Sequence, residues 1–529
     1  MNGIELWHRY KRHLCRAENI GLRLDISRMK FDDAFLTDQA GAIAQALDAM
    51  AALERGCIAN MDEGRMVGHY WLRAPHLAPE PGIGHEIRAA IAAIDDFVRK
   101  VHAAEIVPER GDAFYVLLVI GIGGSVLGPQ FAADALGTAD DPMIVRFIDN
   151  TDPDGFQRVL AEIEDALPQT LTVVISKSGG TAETRNAMLE VASAYGKAGL
   201  AFAKHAVAVT VEGSALHQTA KEQGWLGVFP MWDWVGGRTS ELSPAGLFPA
   251  ALQGIDIHAM IDGARECDEV TRNQDVSSNP AALLAMMWLY GVKVRGRRQM
   301  VVLPYRDRLG LLGRYLQQLV MESLGKQCNR DGHVVHEGLT VFGNKGSTDQ
   351  HAYVQQLRDG ADDFFVTFVE VLRDDAVDQV GVDEDATSGD YLSSFMLGMR
   401  TALYENGRES VTVSLANLSA RSLGALLALF ERTVGLYAEL INVNAYDQPG
   451  VEAGKKAAGE ALALQRHILD LLRSTRGTGF TAEKVAEAIG DPESVETVFH
   501  ILERSAANAR HGVIRAPRDD VFSARYSVR

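Results

Sequence analysis

The amino-acid sequence predicts an α/β protein with two lobes, each built on a parallel sheet. Short apolar, β-branched runs alternate with helical patterns from Phe114 onward, which is typical of right-handed βαβ units. Two of these runs are followed directly by glycine-rich loops, at 121–129 and 176–184. Because ligands in such folds bind beyond the carboxyl ends of the strands, both loops should line one cleft.

Length and composition restrict the class of protein. The chain has 529 residues, enough for two or three domains. Its net charge of −18 argues against a general nucleic-acid or anionic-membrane surface, so any phosphate site must be a local basic pocket. The longest apolar run, 423–430, is too short to span a bilayer, and residues 1–30 lack an apolar signal core. The cysteines are scattered without metal or disulfide spacing, which indicates a reducing cytoplasm: Cys15, Cys57, Cys267 and Cys328.

The first lobe follows a helical N-terminal segment. Residues 1–112 are predicted to be helical, with amphipathic helices at 38–53 and 84–102 joined by a packed connection at 60–73. In the first lobe, residues 113–290, the patterns predict strands at 115–120, 143–148, 171–175 and 206–210, and helices at 153–166 and 182–195.

The second lobe, residues 291–475, repeats the alternation and ends in long helices. Its predicted strands are 299–303, 364–372 and 410–415, and its predicted helices are 309–323, 391–405, 421–440 and 451–472.

The tail, residues 476–529, has a different pattern. It predicts a capped helix at 481–489, a second helix opened by Pro492, and a hairpin of 513–515 with 521–528 around Pro517. This helix–helix–hairpin module is loosely winged-helix-like. Its basic excess is slight, which favours a packing role over nucleic-acid binding.

The stretch from 171 to 184 has the composition of an anion site. A buried strand leads into four hydroxyl residues, one lysine and two glycines, and a helix begins near Ala182. Backbone N–H groups and the positive end of the helix dipole would face the anion, and the hydroxyls add donors. A helix cap needs only one or two hydroxyls, so the anion site is the favoured interpretation. Its candidate ligands are Ser176, Lys177, Ser178 and Thr181.

The other loop, Gly121-Ile-Gly-Gly-Ser, invites a dinucleotide interpretation. That fingerprint needs a small residue where this chain has Val126, although Asp149 does end the next strand. A nucleotide P-loop also fails, since no Gly-Lys-Ser/Thr follows. A backbone nest with Gly124 and the Ser125 hydroxyl, suited to a small ligand, remains.

Six motifs resemble the glucose-6-phosphate isomerase family and occur in its order. They are Gly121-Ile-Gly-Gly-Ser-Val-Leu-Gly-Pro129, Ser176-Lys-Ser-Gly-Gly-Thr-Ala-Glu-Thr184, Trp232-Asp-Trp-Val-Gly-Gly-Arg238, Gln317-Gln-Leu-Val-Met-Glu-Ser-Leu-Gly-Lys326, Gln350-His351 and Tyr446-Asp-Gln-Pro-Gly-Val-Glu-Ala-Gly-Lys455. Residues 60–73 add a weaker match, and the tail beyond about 475 is not covered.

The resemblance implies two sugar isomerase (SIS) domains, each a flavodoxin-like αβα sandwich, in an obligate homodimer. It also implies interconversion of glucose 6-phosphate and fructose 6-phosphate through a cis-enediol(ate), with no metal or cofactor. Such a reaction must open the sugar ring, move a proton between C1 and C2, and hold an enediolate.

From the sequence alone, each candidate catalytic residue could also have an ordinary structural role. Glu322 matches the family's proton-transfer base, but spacing also fits a solvated helix glutamate. Arg238 follows Gly236 and Gly237 and is suited to hold an enediolate, or equally a structural ion pair. The family resemblance favours the catalytic role for both Glu322 and Arg238.

The remaining roles rest on the resemblance. His351, at a predicted helix start (348–358), would act at the ring oxygen from the partner subunit and be oriented by Glu183; a lone histidine is otherwise more often structural. Lys455 would assist ring opening, although a lysine on an exposed helix face is the ordinary interpretation. The residues implied to contact substrate are Gly124, Ser125, Gly237, Gln318 and Gln448.

Departures from the family pattern flank these residues without replacing any. They are Leu324, Thr239 and Gly180, where the family often has Asn, an aromatic and Thr. His333-Val-Val-His336 lacks the helical spacing of a zinc pair, so no metal site is predicted. The rival hypotheses are another sugar-phosphate isomerase, for instance one also accepting mannose 6-phosphate, a sugar-phosphate sensor without turnover, and a nicotinamide dehydrogenase.

Overall fold

A computed structural model describes residues 2–376, 379–516 and 518–528. The chain divides into two compact units, Met1–Asp447 and Gln448–Arg529. The two large sheets, of five and six strands, lie in the first unit.

The helices of the first unit are α1 (Gly3–His13), α2 (Asp33–Asp38), α3 (Ala40–Glu54), α4 (Pro81–His102), α5 (Leu127–Leu136), α6 (Pro153–Glu162), α7 (Ala182–Lys197), α8 (Ala215–Gln223), α9 (Pro244–Gln253), α10 (Ile257–Thr271), α11 (Pro280–Leu289), α12 (Leu312–Leu316), α13 (Val354–Asp359), α14 (Ser388–Glu405) and α15 (Ala420–Leu440). Those of the second unit are α16 (Pro449–Ser474), α17 (Ala482–Ala488) and α18 (Val495–Ala507).

The strands are β1 (Leu14–Ala17), β2 (Leu22–Asp25), β3 (Ile58–Asn60), β4 (Arg65–Met66), β5 (Val116–Ile120), β6 (Ile144–Ile148), β7 (Thr170–Ile175), β8 (Ala206–Thr210), β9 (Gly227–Pro230), β10 (Gln299–Pro304), β11 (Lys326–Cys328), β12 (Val334–Glu337), β13 (Thr340–Phe342), β14 (Phe364–Val371), β15 (Gly381–Asp383), β16 (Ala386–Thr387), β17 (Ser410–Leu415), β18 (Val513–Ala516) and β19 (Arg525–Val528).

The first sheet has the order β6-β5-β7-β8-β9, and all its strands run parallel. Strands β5 and β7 are buried along their whole length, which explains their continuous apolar sequence. The strand order reverses between β5 and β7, and such a switch point is where doubly wound sheets bind ligands. The loops 121–125 and 176–181 leave these two strands, as the sequence predicts.

The second sheet has the order β1-β2-β17-β14-β10-β13. Its last four strands are parallel, while β2 pairs antiparallel with β17 and β1 pairs antiparallel with β2. The α/β prediction with parallel sheets is therefore confirmed, with strand limits within a residue or two of those expected.

The prediction of an all-helical N-terminal segment is wrong for residues 14–25. Helices α3 and α4 are present as expected, but β1 and β2 form the antiparallel edge of the second sheet. Both strands have only four residues and carry charges, so their local pattern is weak. Their partner is remote in sequence: Asp25 lies opposite Thr412.

The predicted helix 309–323 is also more complex than expected. It consists of the short α12 and a wider π-helical segment, Gln317–Glu322. The helix predicted at 153–166 ends earlier, at Glu162.

The second unit contains the predicted helix–helix–hairpin module. Helices α17 and α18 precede β18 and β19, which pair antiparallel. The second strand begins at Arg525 and not at 521, because Val521–Ser523 forms a 3₁₀ turn; Pro517, expected in the hairpin turn, lies outside the described residues. An apolar core joins these elements to the end of α16 through Ile468, Leu472, Val485, Val498, Leu502 and Tyr526.

No helix in the described part of the chain is long and apolar enough to span a bilayer.

Candidate active site

The loop after β5 and the 3₁₀ turn Gly237–Thr239 meet backbone to backbone beside the first sheet. A Cβ atom on Gly124 would lie only 1.8 Å from the carbonyl oxygen of Gly237, so this position requires glycine. The Ser240 hydroxyl donates to the carbonyl oxygens of both Gly124 (3.2 Å) and Gly237 (2.7 Å). The loop after β5 and the 3₁₀ turn Gly237–Thr239 therefore form one continuous surface.

The loop after β7 presents its hydroxyls without using them as helix caps. Thr181 occupies the N-cap position of α7, yet its side chain makes no capping hydrogen bond. The Ser176 hydroxyl lies 3.5 Å from that of Thr181, and the Ser178 hydroxyl accepts from the Gly180 N–H at 3.2 Å. The first N–H groups of a helix have no intrahelical acceptor, so this end of α7 is suited to an anion.

The side chain of Lys177 leaves this loop and crosses to the next one. Its ammonium donates to the carbonyl oxygens of Asp233 (3.0 Å) and Val235 (2.9 Å). Burial lowers the pKa of Lys177. The lysine predicted as a phosphate ligand thus contacts the loop that carries Arg238.

Arg238 is buried and held from several sides. Its guanidinium donates to the Ser323 hydroxyl at 2.8 Å and to the carbonyl oxygens of Ala445 (2.5 Å) and Asp447 (2.9 Å). Its remaining terminal nitrogen lies 3.4 Å from Oε2 of Glu322. Burial lowers the pKa of Arg238, and the charge of Glu322 opposes that shift. One edge of an immobilised cation therefore faces a carboxylate.

The π-helical segment Gln317–Glu322 brings two predicted site residues to this surface. Glu322 ends the segment with its side chain 20% exposed, so it stays open to a ligand beside the buried Arg238. A Cβ atom on Gly123 would lie 3.0 Å from the amide nitrogen of Gln318. Turns of this wider kind are frequent at functional sites.

Lys326 and Asp447 complete the surroundings of Glu322, and neither was assigned a role from the sequence. The Lys326 ammonium lies 2.6 Å from the Asp447 carboxylate and donates to the Glu322 carbonyl oxygen at 3.2 Å. Burial lowers the pKa of Lys326, against the effect of Asp447. Both residues fall inside motifs quoted above, and that position was the available signal.

The structure does not bring every predicted residue to this surface. His351 is exposed at the end of a 3₁₀ turn, Thr348–His351, and Glu183 is half-buried in the first turn of α7. Among the contacts of the described residues, none joins His351 to Glu322, Arg238 or Glu183.

Two further predicted residues belong to the second unit. Gln448 precedes the first turn of α16, and Lys455 lies within that helix. In the first unit Ser125 ends the 3₁₀ turn Gly123–Ser125 of the loop after β5.

The connection at 60–73 holds part of the site in place through hydrogen bonds of Asn60. The Asn60 amide donates to the Tyr446 carbonyl oxygen at 3.3 Å and accepts from Asn444 at 3.2 Å. This fixes the chain on both sides of Ala445, whose carbonyl oxygen holds Arg238.

A buried ion network starts at the other end of that connection. Arg73 donates to Asp268 at 2.7 and 3.0 Å and also contacts Glu431, and all three side chains are at most 1% exposed. Arg432 lies 3.0 Å from Asp268 and 2.5 Å from Glu54. Although burial opposes it, Arg432 and Arg73 hold the pKa of Asp268 well below its usual range. The network joins the connection to α3, α10 and α15.

Known proteins resemble this chain over nearly all of its length. A family profile described as phosphoglucose isomerase matches residues 25–396 and 380–477. The glucose-6-phosphate isomerase of Geobacter sp. strain M21 is 57% identical over 99% of this chain and 98% of its own. That of Geobacter sulfurreducens is 56% identical over 100% of both chains. The chain belongs to the phosphoglucose isomerase family.

The fold agrees with this membership. The crystal structure of a glucose-6-phosphate isomerase from Chlamydia trachomatis superposes with a TM-score of 0.79 at 27% identity, covering 86% of this chain and 90% of that one. The resemblance inferred from the six motifs is thereby confirmed at the level of the family. In the described residues, no group of three or more His, Cys, Asp or Glu side chains is arranged to hold a metal ion.

Proposed function

We propose that this protein is a glucose-6-phosphate isomerase, which interconverts glucose 6-phosphate and fructose 6-phosphate in glycolysis and gluconeogenesis. The observation that carries the proposal is the buried Arg238 guanidinium lying 3.4 Å from the partly exposed Glu322 carboxylate. A base beside a fixed cation suits proton abstraction next to a carbonyl group, because the negative charge develops on the substrate oxygens. The full-length similarity to named isomerases supports the same reaction.

Glu322 and Arg238 divide the chemical step between them. The Glu322 carboxylate takes the proton from C2 of the open-chain aldose, and the electron pair moves onto the C1 carbonyl oxygen. Arg238 stabilises the resulting cis-enediolate, and its hydrogen bonds to Ser323, Ala445 and Asp447 keep it in place. The hydroxyl proton on O2 then passes to O1, and Glu322 returns its proton to C1 as the C2–O2 carbonyl forms, which gives the ketose.

The phosphate would bind at the N-terminal end of α7. The hydroxyls of Ser176, Ser178 and Thr181 lie there, and Thr181 does not spend its hydroxyl on a helix cap. The positive end of the helix dipole favours the anion. Gly124 and Ser125 would supply backbone N–H groups on the neighbouring loop, with Gln318 and Gln448 contacting the sugar.

Ring opening is assigned to His351 and Lys455, with His351 coming from the partner of a homodimer and oriented by Glu183. The exposure of His351 supports this arrangement, because an exposed side chain is open to contact with a partner subunit. Beside it, Gln350 donates to the carbonyl oxygen of Phe395 on α14. That helix presents exposed apolar side chains suited to a subunit interface: Tyr391, Phe395 and Leu397.

A coupled assay tests the reaction. Purified protein receives fructose 6-phosphate in EDTA, and glucose 6-phosphate is followed through a coupling dehydrogenase. Glu322→Gln should lower kcat by about 10³-fold or more, since the base is lost, whereas the exposed Glu190→Gln serves as the matched control and should keep full activity. Absence of turnover in the wild type would refute the proposal. Thermal stabilisation by the sugar phosphate alone would indicate a sensor.

A hybrid dimer tests where His351 acts. Two inactive variants, Glu322→Gln and His351→Ala, are mixed, dissociated and reassociated. If the histidine acts across the interface, each hybrid has one intact site, and random pairing should restore about a quarter of wild-type activity. If it acts within its own chain, no activity returns. A monomeric mass in solution would also contradict the assignment.

We also infer a cytoplasmic location. The cysteines Cys15, Cys57, Cys267 and Cys328 are free thiols, and free thiols without disulfides are typical of reducing compartments. Fractionation of the source cells would test this, and recovery in an extracytoplasmic fraction would contradict it.

A further inference from the structure

The loop that carries Arg238 is tied at several points. The Trp232 and Trp234 rings stack with their centroids 5.0 Å apart, and the Trp234 carbonyl oxygen accepts from the Gly68 N–H at 2.9 Å. Beyond Trp234 the chain runs through two glycines to Arg238. Glycines leave the backbone conformationally permissive. The last hydrogen bond to the chain before these glycines therefore helps to determine the position of Arg238.

The Lys177 ammonium makes that last hydrogen bond before the glycines. It donates to the Val235 carbonyl oxygen at 2.9 Å and to the Asp233 carbonyl oxygen at 3.0 Å. Lys177 belongs to the loop after β7, between two of the hydroxyl residues assigned to the phosphate. One side chain therefore connects the phosphate loop with the segment leading into Arg238.

We propose that Lys177 is a positioning residue, which couples the phosphate loop to Arg238 and does not bind the phosphate with its ammonium. The inference rests on the proposed function of Arg238 and of the loop after β7. It changes the role that the sequence motif suggests for Lys177, from phosphate ligand to a link between two loops.

The geometry favours this role over direct binding. An ammonium has three donors, and two of them are used by carbonyl oxygens. Turning the group toward a phosphate would leave the carbonyl oxygen of the buried Val235 without this donor, which is costly, whereas the Asp233 carbonyl oxygen lies at the exposed surface. The hydroxyls and the end of α7 can meet the phosphate without it. In this arrangement, the energy of phosphate binding helps to hold Arg238 in place. Arg238 can then stabilise the transition state.

The test compares Lys177→Met, which keeps the side-chain length without donors, with Lys177→Arg, which keeps the charge and the donors. We measure kcat and KM for fructose 6-phosphate, and the inhibition constant of inorganic phosphate. Lys177→Met should lower kcat by about 10- to 100-fold through misplacement of Arg238. Both KM and the phosphate inhibition constant should change by less than about threefold. Lys177→Arg should recover most of kcat.

The opposite pattern would overturn the proposal. A rise of about tenfold or more in KM and in the inhibition constant, with kcat preserved, is the signature of a lost phosphate ligand. Unchanged kinetics in Lys177→Met would also overturn it, since the link would then be dispensable. Lys204→Met is the matched control and should behave as wild type, because that lysine is exposed and pairs only with Glu109 in the described structure.

A second measurement does not depend on turnover. Inorganic phosphate should change the fluorescence of the Trp232–Trp234 pair in the wild type, and the change should be absent in a Trp232→Phe, Trp234→Phe variant. In Lys177→Met, phosphate should still bind by calorimetry while the fluorescence change is lost; a retained change would refute the link. If Lys177→Met does not fold, Lys177→Arg decides, since raised KM with preserved kcat would refute the proposal. An inactive wild type would refute only the proposed function, because the fluorescence test still reports on the link.

Discussion

Replacing Arg73 with methionine is expected to destabilise the protein by several kcal/mol. Arg73 makes two hydrogen bonds to Asp268 and contacts Glu431, and the three side chains are at most 1% exposed. Methionine fills a similar length of the cavity but carries no charge. The substitution therefore removes the cation and leaves its carboxylate partners in place.

The magnitude follows from which carboxylate is left without a cation. Asp268 keeps Arg432 at 3.0 Å, so the uncompensated group is Glu431. Breaking a buried pair in this way typically costs about 3–5 kcal/mol. For the compact unit Met1–Asp447, an unfolding entropy of about 2 cal/mol/K per residue turns this cost into a fall in the melting midpoint of roughly 3–5 °C.

Thermal unfolding followed by circular dichroism, with residual activity as a second probe, checks the prediction. Arg146→Met is the matched control: Arg146 pairs with Glu162 at the surface, and the expected cost is below about 1 kcal/mol. Adding Glu431→Gln to Arg73→Met should recover much of the loss, since the stranded charge is removed. Equal, small shifts in both single variants, or no recovery in the double variant, would refute the reasoning.

Three other predictions concern the site and its surroundings. Gly124→Ala should lower kcat/KM by at least about tenfold, because the added Cβ would lie 1.8 Å from a backbone oxygen; Gly155→Ala, whose Cβ would meet nothing closer than 3.6 Å, should match the wild type in the same assay. Burial raises the pKa of Glu241 well above its usual range. Its protonated form therefore supports folding at low pH, and this support is lost as the pH rises through the folded pKa. Melting curves from pH 5 to 9 should show a smaller decline for Glu241→Gln than for the wild type, and parallel declines would contradict this. Asp349 is buried and accepts from a backbone N–H and a tyrosine hydroxyl in the segment that bears the exposed histidine; Asp349→Ala should speed amide hydrogen exchange at residues 344–353, and unchanged exchange would show that these bonds do not order the turn.

Much of the site could be predicted from the sequence because its chemistry is local. The hydroxyl-rich loop follows a continuously apolar strand, and a sheet order with a switch point places that loop at the ligand-binding edge. Arg238 could also be predicted, because it directly follows two glycines that allow the backbone to approach a ligand. In each case the residue types needed for an anion or an enediolate stand within a few positions of the element that presents them.

The contacts that were not predicted depend on distant parts of the chain. Nothing near Lys177 in sequence indicates that its ammonium points to Asp233 and Val235, and the Lys326–Asp447 pair spans more than a hundred positions. A π-helical segment has no simple periodicity that would distinguish it from the end of an α-helix. Tertiary packing decides all three.

The antiparallel edge of the second sheet has a consequence for biosynthesis. β1 and β2 are synthesised long before their partner strand, β17; the hydrogen bond from the Lys30 N–H to Glu409 spans 379 residues. At about 5–20 residues per second, this edge waits roughly 20–80 s for its partner. The charged residues Arg16 and Arg23 in these two strands would discourage association with other nascent chains during that interval. A fragment that begins after residue 25 would lack this edge and should be prone to aggregate.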